Sequence, residues 1–194
     1  HLIMKKNLSI IIMVLLTTTA WSQETITLSG GVAYARAIDY SSYYSIDYNN
    51  FESTRFRITG TYEIGPLVTK KLLHGFSAGY ILTNASFDET NFSADIKVRT
   101  IPMYYAPKFM VGSEKAMVFA RGAIGMQFAR FDISGDYDDN DHDWGFYGGI
   151  GLGGMAYVSS KVFLNLEYEW AYMSNTYYAN GILNSLQLGI GVDL

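Results

Sequence analysis

The end of the chain alternates strictly between apolar and polar positions. Apolar side chains occupy every second position from Leu186 to Leu194, and glycine or polar residues fill the positions between them. Successive side chains of a β-strand point to opposite faces, so a period of two predicts a strand. The same period recurs in seven earlier segments, namely residues 25–35, 54–64, 72–86, 95–109, 116–131, 144–158 and 162–174. The chain is therefore predicted to be all-β with eight strands.

The two faces of these strands differ in side-chain size. One face carries large apolar residues, whereas the other is mostly glycine, alanine, serine and threonine. Small side chains fit the narrow interior of an eight-stranded barrel, and a tilted strand of about 10 residues crosses a bilayer. A soluble barrel such as a lipocalin also alternates, but its water-facing wall would be dense in lysine and glutamate. The pattern favours an eight-stranded antiparallel up-and-down transmembrane β-barrel.

The segment 95–109 alternates least cleanly. Its apolar residues Ile96, Val98 and Tyr104 are expected on the lipid-facing side, which would turn Lys97 and Arg99 into the lumen. Two prolines interrupt the segment, at positions 102 and 107, and proline cannot donate to a strand ladder. A bulge or a strand end is expected there.

Aromatic residues recur on the apolar face, several of them near predicted strand ends. The set comprises Tyr34, Tyr62, Tyr80, Tyr104, Trp144, Phe146, Tyr168 and Trp170. Aromatic side chains collect at the headgroup level of membrane proteins, so this set predicts an interfacial girdle.

The predicted connections alternate in length. Residues 65–71, 111–115 and 159–161 form short turns, and residues 38–53, 88–94, 132–143 and 175–180 form longer loops. Short turns are periplasmic and longer loops extracellular in bacterial membrane barrels. An even number of strands then places both termini in the periplasm.

A targeting segment precedes the strands. Starting from Met4, which is the expected initiator, two lysines are followed by an apolar stretch and by Ala20-Trp21-Ser22, an A-x-S cleavage pattern. We expect residues 1–22 to be a cleaved signal peptide and residues 23–194 to be the barrel.

Composition agrees with an exported membrane barrel. Charged residues make up 16% of the chain, against about 25% in ordinary globular domains. The chain has no cysteine, so no disulfide is possible, and its net charge of −4 offers no basic surface for nucleic acid. No cofactor is expected.

The stretch GGIGLGG has the spacing G-x-G-x-x-G at Gly149, Gly151 and Gly154. A dinucleotide site needs a helix directly after these glycines, and the following residues alternate like a strand instead. We interpret Gly149, Gly151 and Gly153 as a strip without side chains on the lumen face, although such glycines also ease barrel curvature.

That strip leaves room for a buried ion-pair network between the two neighbouring strands. The network is predicted to comprise Arg57, Arg99, Arg121, Glu167 and Glu169. In this hypothesis Arg121 faces Glu167 in one layer, and the other three residues form a second layer. Burying one charge without its partner would cost several kcal/mol, so pairing is expected.

Two predicted loops have distinctive compositions. Asp136, Asp138 and Asn140 have the spacing of calcium-loop oxygens, but the glycine and the bidentate glutamate of such a loop are missing. These three residues are weak metal candidates, and a solvated loop is the simpler interpretation. The tyrosine-rich loop 39–52 has the composition of an adaptable binding surface or of a plain solvent loop.

The sequence offers little for catalysis. His142 is the only histidine on the predicted external side, and nothing in the sequence holds it beside a nucleophile such as Ser174 or Ser86. We expect no enzyme activity.

The C-terminal QLGIGVDL resembles the assembly signal of small Gram-negative outer-membrane barrels of the OmpX, OmpW and OmpA transmembrane-domain type. The matching positions are Gln187, Gly189, Val192 and Leu194, and Leu194 departs from the aromatic residue that more often ends the signal. The segment GPLVTKKLLHGFSAGY also looks like a turn and strand of such barrels. The resemblance implies contact with outer-membrane lipid, with lipopolysaccharide and with the barrel assembly machinery, and a monomer is expected.

Two functions stay open at this point. The first is a structural or surface-interaction barrel whose extracellular loops meet a partner outside the cell. The second is a narrow channel for small or apolar solutes, as in OmpW-like proteins, and a lipid A-modifying enzyme is a distant third. A general porin is disfavoured because those barrels have about 16 to 18 strands.

Overall fold

The computed structural model describes residues 22–35, 52–66, 71–89, 92–135, 139–174 and 181–194. They form nine strands: β1 Ser22–Ala35, β2 Glu52–Pro66, β3 Leu72–Glu89, β4 Phe92–Tyr105, β5 Lys108–Gly112, β6 Ala116–Gly135, β7 Asp139–Tyr157, β8 Val162–Met173 and β9 Ile182–Asp193. Among these residues no helix is long and apolar enough to cross a membrane. The proposed signal peptide lies outside the described residues except for Ser22, which begins β1.

The strands close into a barrel. Neighbouring strands pair antiparallel around the sheet, and β9 returns to pair with β1 from Thr25–Asp193 to Ala35–Leu183. The short β5 continues β4 along the same position between β3 and β6. The nine strands therefore occupy eight positions, and the predicted eight-stranded up-and-down barrel is confirmed.

The break between β4 and β5 falls at Ala106 and Pro107. Gly75 and Ala106 exchange two backbone hydrogen bonds of 3.1 and 2.7 Å, and the Gly122 N–H donates to the Pro107 carbonyl at 2.8 Å. The neighbouring strands thus continue to hold the chain across the break. The expected strand end is present near the second proline. The alternation of inward and outward side chains continues across the break, as the burial of Tyr104, Ala106 and Lys108 shows.

The two ends of the barrel differ. β2, β5 and β7 end, and β3, β6 and β8 begin, at the end of the barrel that also carries the N-terminal part of β1 and the C-terminal part of β9, which we call the short-turn end. At the other, the loop end, the hairpins are longer than predicted, because β3 and β4 reach Glu89 and Phe92, and β6 and β7 reach Gly135 and Asp139.

Between the two ends the barrel wall is apolar on the outside. The exposed side chains include one or more large apolar residues from each position, among them Leu28, Ile58, Phe76, Met103, Ile124, Ile150, Leu166 and Leu188. Inside, an apolar layer lies at each end. The layer at the short-turn end comprises Leu73, Met110, Phe119, Met155 and Phe163, and the layer at the loop end includes Ile81, Val98, Phe131, Met173 and Leu183.

The expected facing of the fourth segment is wrong. Ile96, Val98 and Tyr104 are buried in the lumen, whereas Lys97 is exposed and Arg99 half-exposed on the outer wall. For Ile96 and Val98 the error has a physical cause, because near the loop end the wall is apolar inside and polar outside, the reverse of its membrane-facing part. Tyr104 has the same inward parity but lies in the middle of the barrel, where the outer wall is apolar. Tyr104 consequently does not belong to the outward aromatic set.

Candidate functional site: the charged lumen

Charged side chains fill the middle of the lumen, between the two apolar layers. Alternation along β2, β6 and β8 turns Arg57, Arg121, Glu167 and Glu169 inward, with relative exposures of 0 to 6%. The register places Arg121 opposite Gly151 and Gly151 opposite Glu169, so the arginine and the carboxylate lie two strands apart. Together with Tyr104 and Tyr147 these four residues form what we call the lumen cluster.

Glu169 is the central acceptor of the lumen cluster. Its carboxylate accepts hydrogen bonds from Arg57 Nη1 and Nη2 at 3.1 and 3.3 Å and from Arg121 Nη2 at 2.7 Å. The Tyr147 hydroxyl donates to the same carboxylate. Three donor side chains from three strands therefore converge on one group.

Arg57 is saturated with hydrogen-bond partners. Besides its two bonds to Glu169, it donates from Nε to Thr59 Oγ1, from Nη1 to Ser185 Oγ and from Nη2 to the Tyr104 hydroxyl, at 3.0 to 3.1 Å. A guanidinium has five N–H donors, and these five contacts match them. A fully buried arginine is tolerated under such conditions, since its charge is paired and its donors are used.

The other guanidinium links the two carboxylates. Arg121 Nη2 lies 2.7 Å from Glu167 Oε1 and 2.7 Å from Glu169 Oε2. The two layers proposed from the sequence are thus joined into one cluster through Arg121. Tyrosine rings close its sides, because Tyr104 and Tyr147 stack at 4.8 Å and Arg57 and Arg121 each lie about 6 Å from one of their centroids.

A second ion pair lies nearer the short-turn end. Lys108 Nζ is 2.6 and 2.7 Å from the two oxygens of Glu63, and Thr25 Oγ1 donates to Glu63 Oε2 at 3.2 Å. The ammonium also lies 4.9 Å from the centroid of Phe119. Sequence reasoning missed this pair because Lys108 directly follows Pro107, where the facing of the chain was in doubt. The described lumen therefore carries three buried cations (Arg57, Arg121, Lys108) and three buried carboxylates (Glu63, Glu167, Glu169).

Arg99 does not join the lumen cluster. It lies on the outer wall, where its Nη2 is 3.6 Å from Asp132 Oδ2 and its side chain is 40% exposed. The prediction that Arg99 belongs to the network is therefore wrong. The prediction placed the apolar residues Ile96 and Val98 against lipid, and alternation then placed Arg99 in the lumen, the opposite of the observed orientation.

The three strip glycines have different neighbours. A Cβ at Gly151 would overlap the Glu167 carboxylate, so this glycine does make room for the lumen cluster. A Cβ at Gly153 would meet the Phe119 ring, and one at Gly149 would lie 2.7 Å from the Trp170 carbonyl oxygen. Only Gly151 touches an ion pair, whereas Gly153 admits an aromatic ring and Gly149 permits close approach of the neighbouring strand.

The proposed assembly signal covers part of β9 and Leu194, which directly follows it, and its residues divide between the inner and the outer face. Gln187 is buried and accepts a 2.8 Å hydrogen bond from Thr59, and a Cβ at Gly189 would overlap Asn165 and Ser29 side chains. Val192 and Leu194 point outward and are exposed.

The metal and catalytic candidates lie only partly within the described residues. Asp136 and Asp138 lie outside the described residues, as does most of the loop 39–52, and Asn140 is exposed on β7. Within the described ranges no group of three or more metal-ligating side chains occurs. The His142 ring lies 6.0 Å from that of Phe128, and the Ser174 hydroxyl accepts a hydrogen bond from the Phe146 N–H at 2.7 Å.

Comparison with solved structures finds the same architecture in small membrane barrels. A major outer membrane protein of Thermus thermophilus superposes with a TM-score of 0.59 at 9% identity, covering 89% of this chain and 99% of that one. Neisserial surface protein A gives 0.52 at 10% identity, with 89% and 97% covered. Yersinia pestis Ail, the attachment invasion locus protein, gives 0.52 at 12% identity, also with 89% and 97% covered, in a complex with the heparin analogue sucrose octasulfate.

At these identities the likeness shows the fold alone. The comparison with curated proteins found no relative. The family model described as outer membrane protein beta-barrel domain matches residues 8–193, which is nearly the whole sequence. The chain therefore belongs to the outer membrane protein β-barrel domain family and is located in the outer membrane of a Gram-negative bacterium.

Proposed function

We propose that this protein is a sealed outer-membrane barrel that acts through its extracellular end, in a structural or surface-interaction role. The observation that carries the proposal is the filled lumen. Side chains from all eight positions occupy three successive layers, apolar, charged and apolar, and most of them are almost completely buried. Eight-stranded barrels have an interior that side chains can fill.

The charged layer supports a permanent seal. Displacing Arg57 or Glu169 to open a path would separate an ion pair that lies in a low-dielectric interior, and an uncompensated buried charge costs several kcal/mol. The tyrosine stack beside this pair adds bulk at the same level. Solute passage through the barrel would require all of these contacts to break together.

The proposed surface role follows from the sealed lumen, because a barrel without a channel can interact with other molecules through its outer surfaces. A sealed barrel meets other molecules through its outer wall and its two ends, and the loop end is the one expected outside the cell. NspA is a surface protein and Ail an attachment invasion locus protein by name, and both names fit the role proposed here. We expect no catalysis, and we expect lipopolysaccharide and the barrel assembly machinery as partners in the membrane.

Single-channel recording in planar bilayers tests the seal. The purified barrel should show no discrete conductance steps. The double variant Arg57→Ser, Glu169→Ser should show at most rare and brief ones, because it removes two side chains of the charged layer but leaves Arg121 paired with Glu167 and both apolar layers in place. A variant of the exposed turn residue Lys161, Lys161→Gln, is the matched control and should stay silent. Discrete steps in the unmodified protein would overturn the seal and support the narrow channel for small solutes.

A further inference from the structure

The outer wall changes character abruptly towards the loop end. Outward apolar positions run from Ile101 to Val111 along β4 and β5 and from Val118 to Phe128 along β6, which is 11 residues in each case. That is the length a tilted strand needs to cross the hydrocarbon layer. Trp144 on β7 ends the belt at the same level, with its ring 5.1 Å from that of Phe128. The membrane surface therefore lies at this row.

The next outward row is cationic. Arg99 on β4 pairs directly with Arg130 on β6, and Arg130 pairs with His142 on β7. Lys97 lies two residues beyond Arg99, on the same outer face. Cations thus follow the aromatic row immediately, at the height of the lipid headgroups.

Two arginines directly opposite each other on neighbouring strands repel one another. Asp132 offsets part of this repulsion, since its oxygens lie 3.6 Å from Arg99 Nη2 and 3.1 Å from Arg130 Nε. On the outer face of β4 and β6 beyond the aromatic row, the charged side chains are three cations, Lys97, Arg99 and Arg130, and two carboxylates, Asp95 and Asp132, which leaves a net charge of 3 − 2 = +1. Asp95 lies four residues beyond Arg99, further from the membrane, so the excess of positive charge is concentrated at the membrane surface.

The shape of this region suits a headgroup. A depression of about 450 Å³ lies beside Arg99 and Lys97, and its other lining residues are Asn84, Asp95, Ile96, Asp132 and Ser134. The Arg99 and Arg130 side chains are 40% and 52% exposed, so their remaining N–H donors can be reached from outside. Guanidinium groups bind phosphate through paired hydrogen bonds in a fixed geometry.

We propose that Arg99, Arg130 and Lys97 form a binding site for the phosphate groups of the outer-leaflet glycolipid, whose acyl chains lie against the apolar belt below. The position of the site favours a lipid over a free phosphate ion, because the cations directly border a wall that already contacts acyl chains. The site does not depend on the lumen, so its failure and that of the proposed seal are separate results.

Native mass spectrometry of the folded barrel in a phosphate-free detergent tests the site, with diphosphoryl lipid A and its dephosphorylated form as probes. The unmodified protein should retain diphosphoryl lipid A more strongly than the dephosphorylated form. The double variant Arg99→Gln, Arg130→Gln should lose at least about tenfold in affinity, as expected for two charge-assisted hydrogen-bonding groups. The control Lys115→Gln, Lys161→Gln removes two exposed cations from the short turns and should bind like the unmodified protein.

Three results would overturn the proposal. The first is unchanged binding in the arginine variant when its folding is intact by gel migration before and after boiling. The second is equal retention of the dephosphorylated form, which would show that the phosphates are not recognised, or complete displacement by excess inorganic phosphate, which would show a general anion site. The third is binding that a chelator abolishes and the arginine changes do not affect, which would assign the site to Asp95 and Asp132 through a divalent cation.

Discussion

Glu169 shows how a single buried carboxylate can organise a lumen. It accepts hydrogen bonds from Arg57, Arg121 and Tyr147, which come from three different strands. The neighbouring Glu167 forms its ion pair with Arg121, which it shares with Glu169. The stability of the charged layer should therefore depend more on Glu169 than on Glu167.

Replacing Glu169 by glutamine should destabilise the barrel by about 3 kcal/mol or more. The change leaves Arg57 and Arg121 buried with one carboxylate between them, and removing one member of a buried ion pair typically costs that much. Urea unfolding of the protein in lipid vesicles measures the effect. Glu114→Gln, on an exposed short turn, is the control and should change the free energy of unfolding by no more than about 0.5 kcal/mol. Equal midpoints for the two variants would show that the charged layer contributes no stability.

Gly151 and Gly154 provide a matched test of the space inside the barrel. A Cβ at Gly151 would overlap the Glu167 carboxylate, whereas a Cβ at Gly154 has its nearest contact with the Met117 carbonyl oxygen at 3.8 Å. Gly151→Ala should lower the free energy of unfolding by about 1 to 3 kcal/mol, the usual range for overpacking, and Gly154→Ala should be close to neutral. The same urea experiment decides, and equal effects would mean that the glycines serve curvature alone.

At the scale of the strand, alternation predicted the elements well and their facing less well. β6 explains why. Its outward positions are apolar up to Phe128 and polar from Arg130 onward, while Phe131 and Ile133 turn inward, although the strand continues without a break. Within the membrane the outer wall contacts lipid and must be apolar. Beyond the membrane the outer wall faces water, and the apolar side chains pack inside the barrel instead. The rule that apolar residues face outward along the whole strand therefore gave the wrong orientation for Ile96, Val98 and Arg99.

The loss of folding free energy caused by an outward-facing charge on β6 should depend on its position along the strand. Ile124→Arg places a cation in the middle of the apolar belt and should cost about 2 to 4 kcal/mol, whereas Ser134→Arg lies beyond the membrane and should cost about 0 to 1 kcal/mol. Both positions are exposed on the same face of the same strand, so each controls for the other. Folding free energies in vesicles provide the measurement. Similar costs at the two positions would contradict the membrane boundary placed at Phe128.

At the scale of the whole molecule, the sequence could not predict which residues far apart along the chain contact each other across the lumen. The partners of Arg57 come from β4, β7, β8 and β9, and no local pattern shows which of these strands lie across the lumen from it. Parity did predict that Arg57, Arg121, Glu167 and Glu169 share the interior. Glu63 had the same inward parity but no recognisable partner, because Lys108 follows the proline break.

Barrel closure depends on β9, which also carries the proposed assembly signal. Leu188 on this strand and Leu194 directly after it are both exposed, each to 63%, but only Leu194 belongs to the signal. Leu194→Ala and Leu188→Ala should therefore refold equally well from urea into detergent, since each removes a similar apolar surface. In cells, Leu194→Ala should lower the amount of folded barrel in the outer membrane several-fold, while Leu188→Ala should not. Equal yields in cells would show that Leu194 contributes only through its lipid contacts, and a refolding defect confined to Leu194→Ala would assign its role to closure with β1 rather than to recognition.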